Sequence, residues 1–119
     1  MISVEYCQLE ARYNRWMNER LYAAVRELSD EERKRDHESA DAAILAWAGQ
    51  LTPTWLAGTL EYRAASDGQQ RQLRCWIGAT HLFQHAVHHR GQVSTLLKQA
   101  GKDMGVTDIP FLPGVARTL

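Results

Sequence analysis

The stretch from Cys75 to Ala100, CWIGATHLFQHAVHHRGQVSTLLKQA, constrains the fold more than any other part of the chain. At 100° per residue, Trp76, Ala79, Leu82, Phe83, Ala86, Val93 and Leu97 fall on one broad arc, as a long core-facing helix requires. Gly101 follows the last periodic residue, where a left-handed C-terminal cap is commonest. Four of the five histidines, His81, His85, His88 and His89, crowd into nine positions of this helix. His85 and His89 lie one turn apart at the margin of the apolar arc, whereas His81, His88 and Gln92 lie further toward the polar side. Imidazoles at i and i+4 on one face can hold a single divalent cation. The competing reading is a set of core-edge histidines hydrogen-bonded to their neighbours.

The remaining elements follow from local signals. Leu9, Tyr13, Trp16, Met17, Leu21, Ala24, Val25 and Leu28 recur at three- and four-residue steps, which predicts a helix over 3–28. Its opposite face carries Glu10, Arg12, Asn14, Arg15, Glu19 and Arg26. Ser29-Asp-Glu-Glu32 is a capping-box pattern that opens a short helical turn to about residue 35. The charge run 30–36 then reads as a solvated connection to a helix over 38–50, with Ala42, Ile44, Leu45, Trp47 and Ala48 as its apolar content. Thr52-Pro53 reads as an N-cap with proline at the first helical position, opening a turn that stops near Gly58. Leu60, Tyr62 and Ala64 alternate with polar residues, and Ser66-Asp67-Gly68 is turn chemistry, so 59–64 and 70–73 are predicted to form a hairpin. Pro110 and Pro113 exclude a continuous helix in the tail, 108–119, whose Ile109, Phe111 and Leu112 are expected to lie across the bundle.

The sequence is read as one mainly α-helical domain over 1–119. With 14 basic and 14 acidic residues and no basic stripe, electrostatic support for nucleic-acid binding is absent. No apolar run approaches the length of a membrane span, and no signal peptide is evident. Cys7 and Cys75, far apart and each within a helical pattern, read as small buried residues in a reducing, cytoplasmic compartment. Two long amphipathic helices of about 39 Å beside one of about 20 Å leave apolar surface uncovered. A homodimer is therefore expected, with helices of the second chain completing a four-helix arrangement.

Three segments resemble the DinB/YfiT-like family of metal-dependent enzymes. Tyr13-Asn-Arg-Trp16-Met-Asn18 with Leu21 is similar to the family's first helix, YNxWxNxRL. Leu56-Ala-Gly-Thr-Leu-Glu-Tyr-Arg63 resembles its mid-chain hairpin. His81-Leu-Phe-Gln-His85-Ala-Val-His88-His89-Arg-Gly-Gln92 resembles its last-helix signature, HLFNHxxHHRGQ. The resemblance implies a four-helix bundle, shortened here to about three main helices plus the hairpin. It also implies a divalent cation, zinc or nickel, held by three histidines. His85 and His89 match two of the three. The segment carrying the third, with its helix, has no counterpart between His37 and Glu38. His37, Asp36, Glu38 or a partner chain are the candidates to replace it, with His81, His88 and Gln92 in supporting roles.

Characterised members of the family imply a metal-dependent thiol-S-transferase or hydrolase-type activity on a small substrate, with a low-molecular-weight thiol as a possible partner molecule. The alternative is a non-catalytic, shortened member acting as a homodimeric structural protein.

Overall fold

A computed structural model describes residues 1–24 and 31–119, the side chains of 31–37 excepted. The chain runs α1 (Val4–Ala24), α2 (Glu31–Gln50), α3 (Pro53–Ala57), β1 (Thr59–Arg63), β2 (Gln70–Arg74) and α4 (Cys75–Gln99). A 3-10 turn at Ile109–Phe111 follows. The fold is mainly helical, with one small two-stranded sheet. Among the described residues, no helix is long and apolar enough to cross a membrane.

α1 lies between α2 and α4 and packs on both. Near one end, Cys7 and Ala11 of α1 meet Ala48 of α2, Leu56 of α3, and Ala79 and Phe83 of α4 in one apolar cluster. A second cluster joins Tyr13 and Met17 of α1 to Leu97 of α4 and to Met104 and Leu112 of the tail. Both cysteines are buried and free, as their helical settings led one to expect.

Local signals set most boundaries. The Thr52 hydroxyl accepts from the Trp55 backbone N–H at 3.1 Å, which caps α3 ahead of Pro53. The hairpin pairs Leu60 with Leu73 and Tyr62 with Arg71 in antiparallel register. Its turn holds Gly68 at φ +71°, and the Asp67 carboxylate accepts from the Gln69 N–H and from Arg71. α4 closes with Gly101 at φ +80°, the Lys102 N–H bonding to the Leu97 carbonyl and the Gly101 N–H to that of Lys98. This paired closure satisfies carbonyls that the helix itself leaves open.

Two expectations need correction. The charge run, where it is described over 31–36, is not a connection. Glu31–Gln50 is one continuous helix of 20 residues, because Glu, Arg, Lys and Ala are strong helix formers and no glycine or proline interrupts them before Gly49. Its length of about 30 Å now approaches that of α1, so the argument for a partner chain from a short helix does not stand. The expected helix through Leu28 is seen to Ala24; 25–28 and the Ser29 cap lie outside the described residues.

The second correction concerns faces. Glu10 and Asn14, read as belonging to the solvent face of α1, are 7% and 4% exposed, whereas Leu82, read as core, is 40% exposed. Asn14 is met by Asp41 of α2 and Arg90 of α4, and Glu10 lies near the Arg90 charge. Leu82 is exposed because α4 is covered by α1 along one stripe, not across the whole predicted arc.

The tail docks on α1 through backbone acceptors. The Arg20 guanidinium donates to the Met104 carbonyl, with Nε at 3.0 Å, and the Tyr13 hydroxyl donates to the Thr107 carbonyl. Gly105 turns the chain there at φ +77°, and a Cβ at this position would collide with the Arg20 guanidinium. Gly105→Ala should therefore cost about 1–2 kcal/mol, from the left-handed backbone and from displacing Arg20. Thermal unfolding of the two proteins side by side measures it; an unchanged midpoint would mean that the tail contributes nothing to stability.

Candidate metal centre

α4 carries two adjacent stripes. One runs Cys75, Ala79, Phe83, Arg90 and Leu97, all buried, with Ala86 and Val93 half-buried between them. The other runs Leu82, His85, His89, Gln92 and Leu96, all exposed. Steps of three and four residues put each set in line along the helix.

The second stripe brings two imidazoles together. His85 Nε2 and His89 Nε2 are 2.9 Å apart, with the rings edge-on at 84° and centroids 4.4 Å apart. Gln92 Oε1 lies 3.0 Å from His89 Nδ1. A carbonyl oxygen can only accept, so His89 Nδ1 carries the proton and its neutral ring presents a lone pair at Nε2. Without an ion, His85 Nε2–H must then donate to that lone pair. Two nitrogens each about 2.0–2.1 Å from one zinc ion lie about 3.3–3.4 Å apart at the tetrahedral angle. The observed 2.9 Å is a hydrogen-bond distance about 0.4 Å shorter than that bite, so a small rotation of the two side chains would open the pair to an ion in place of the shared proton.

The surrounding rings affect protonation. Partial desolvation, followed by repulsion from His89, His81 and His88, pushes His85 below its ordinary value. A neutral imidazole is the form that binds metal. His81 stacks on His85 with centroids 5.2 Å apart, and His88 stands 5.4 Å from His89. Among the described residues, no third His, Cys, Asp or Glu joins the pair to form a ligand group. Glu38 is exposed on α2. The side chains of His37 and Asp36 lie outside the described residues.

Behind this face, the other stripe of α4 anchors in a polar group that hydropathy did not reveal. Arg90, 8% exposed, donates from Nη1 to Asn14 Oδ1 and, at 3.4 Å, to Asn18 Oδ1. Asn14 and Asn18 in turn donate to Asp41 Oδ1 at 3.2 and 2.9 Å. The Arg90 guanidinium also stands 5.5 Å from the centre of the Tyr13 ring. One chain of hydrogen bonds thus crosses α2, α1 and α4. It fixes the rotation of α4 and with it the direction in which His85 and His89 point. Burial and the nearby Asp41 carboxylate push the Tyr22 phenol up to about 12.

The sequence held one usable signal for this group. Asn14 and Asn18 are spaced i,i+4, so both amides face the same neighbour.

Glu10 is also drawn in. Desolvation pushes its carboxyl above the ordinary 4.5, against the opposing pull of Arg90. An acid whose value is raised by folding penalises the fold wherever it is ionised, and the penalty fades as pH falls through the folded value toward 4.5. Glu10→Gln should accordingly unfold at higher temperature than the parent at pH 7. That advantage should shrink steadily as pH falls toward 4.5 in a melting series. An advantage that grows on acidification would contradict the sign.

A family model described as DinB family matches residues 36–117, from the middle of α2 through α4 to the tail. No curated protein and no solved structure matches the chain.

Proposed function

The chain belongs to the DinB family, and from that membership and the paired imidazoles of α4 we propose that it binds a divalent metal ion, zinc or nickel, through His85 and His89. The reaction proposed for it is metal-dependent group transfer or hydrolysis on a small substrate, a low-molecular-weight thiol being the first class to try. The observation that carries the reading is the 2.9 Å approach of the two Nε2 atoms, with His89 held in the correct tautomer by Gln92. A divalent ion at this point supplies Lewis acidity, which holds a thiol as thiolate or brings a bound water toward ionisation near neutral pH.

The chain's own residues have defined parts in this reading. His85 and His89 present lone pairs from consecutive turns, so the spacing of the ligands is set by the helix itself. Gln92 holds the His89 ring through the nitrogen that does not face the ion. His81 and His88, exposed beside the pair, are placed to accept or return a proton at the site's edge. Catalytic zinc sites carry three protein ligands and keep a position open. The third donor comes from His37, Asp36 or Glu38, or from a second chain. Two buried free thiols suit a reducing, cytoplasmic setting.

A competitive zinc titration against a chromogenic chelator tests the assignment of Gln92. Gln92→Ala should weaken zinc binding about 10–100-fold, the usual effect of removing the group that orients a ligating histidine. Gln92→Glu, which keeps the acceptor, should bind at least as well as the parent. Equal affinities for the parent and the alanine variant would rule out the orienting role.

A non-catalytic, homodimeric member is the second reading. The observation that favours it is the exposure of Leu82 and Leu96 on either side of the histidines, on a face with no third donor among the described residues. Metal-dependent turnover of thiol or ester substrates, abolished by a chelator and restored by zinc, would exclude it.

A further inference from the structure

A cavity of about 90 Å³ lies where α1, α4 and the tail meet. Tyr13 and Met17 line it from α1, and Val87, Arg90, Gly91 and Ser94 from α4. Thr107 of the tail completes it, its carbonyl accepting from the Tyr13 hydroxyl. The volume is several times what one water molecule needs. At 100° per residue, Val87, Gly91 and Ser94 lie roughly opposite His85 and His89 on α4. The cavity is therefore on the other side of the helix from the paired imidazoles.

Arg90 is only 8% exposed, yet part of its guanidinium is unused. Nη1 donates to Asn14 and Asn18, while the N–H groups of Nε and Nη2 have no acceptor among the described residues. No side-chain nitrogen or oxygen among those residues is both sealed from solvent and unpartnered. Nε and Nη2 must then face an accessible space, and the cavity is the space that Arg90 lines. No carboxylate among the described residues forms an ion pair with this guanidinium. Asp41 and Glu10 act on its charge only through space.

We infer that the cavity binds a short-chain monocarboxylate, clasped by the Nε–Nη2 edge of Arg90. That edge is a planar two-donor fork, which matches the two oxygens of a carboxylate. The nearby Asp41 and Glu10 disfavour a dianion. The hydroxyls on the wall are already engaged, Tyr13 donating to the Thr107 carbonyl and Ser94 to the Gly91 carbonyl at 3.0 Å. Neither is left to donate to the further oxygens of a sulfate or phosphate. Met17, Val87 and the Tyr13 ring give apolar contact to a short hydrocarbon tail. The ligand touches the same guanidinium that ties α4 to α1 and, through Asn14 and Asn18, to Asp41 of α2. This site stands apart from the metal reading and does not depend on it.

The test is a titration with sodium butyrate at constant ionic strength, followed by nitrogen-15 NMR at the Arg90 Nε–H signal. That signal should shift and saturate with butyrate, whereas sodium sulfate and sodium chloride should give no saturating shift. Arg90→Lys keeps the charge but loses the fork, so binding should be lost. Gly91→Leu decides the matter even where the lysine variant fails to fold. A Cβ at Gly91 meets nothing within 4 Å, and a longer side chain leans back toward Val87, across the cavity. Removing a mid-helix glycine also favours the helix, so this variant should melt at or above the parent temperature. It should bind butyrate at least about tenfold more weakly, because close-packed surroundings do not make room for both.

A butyrate shift that never saturates in the parent would overturn the site. Saturation by sulfate in place of butyrate would reject the carboxylate. Unchanged affinity in Gly91→Leu would exclude the cavity as the place of binding. His85→Ala/His89→Ala should bind butyrate as the parent does; loss of binding there would assign the effect to the imidazole pair and overturn a separate site.

Discussion

An Arg90→Ala variant should lose about 3–5 kcal/mol of stability, the largest effect expected of any single substitution here. Truncating one member of a buried charged group leaves its partners desolvated and unpaired. Arg90 is the donor that closes the chain from Asp41 through Asn14 and Asn18, and its charge lies near both Asp41 and Glu10. At this chain length the loss corresponds to a fall in melting temperature of about 10–20 °C. Asp41→Asn is the informative comparison. It keeps an oxygen to accept from Asn14 and Asn18 and removes only the charge, so about 1–2 kcal/mol is expected. Equal losses in the two variants would mean that charge, not hydrogen bonding, holds this group together.

The second large effect is on metal. Loss of both imidazoles in a His85→Ala/His89→Ala variant should abolish zinc binding, because it removes both proposed ligands and, among the described residues, no group of three or more His, Cys, Asp or Glu is placed to replace them. Both side chains are exposed, so the fold should survive, with a melting temperature in chelator within a few degrees of the parent. The parent should gain stability from added zinc, since an ion that binds only the folded form raises the midpoint with concentration. The variant should show no such gain. This contrast separates loss of a ligand from loss of the fold.

Much of this architecture was legible in the sequence, and what was missed has physical causes. α4, the Gly101 cap, the Thr52-Pro53 helix start and the hairpin all rest on signals within a few residues of one another. The continuity of α2 was obscured by a capping-box pattern and a charge run, both of which also suit the solvated face of an uninterrupted helix. Burial of Glu10, Asn14, Asp41 and Arg90 was hidden for a different reason. A polar residue satisfied by a partner far along the chain looks, in hydropathy, like any surface residue. The Leu82 error has a related origin: periodicity gives the width of an apolar arc but not the number of neighbours that cover it.

The candidate site divides in the same way. The His85–His89 pair could be read from i,i+4 spacing alone, because a helix fixes which side chains meet on consecutive turns. The contact of Gln92 with His89 follows from the same spacing, one turn further on. The third donor that the proposed site requires could not be read, since it would depend on segments distant in sequence or on another molecule.

Metal content per chain tests the central claim most directly. Untagged protein purified without chelator, beside the His85→Ala/His89→Ala variant, is to be measured by elemental mass spectrometry. The account predicts zinc or nickel in a fixed ratio to the parent chain and none in the variant. Metal absent from both proteins, even after incubation with zinc and removal of the excess, would contradict it.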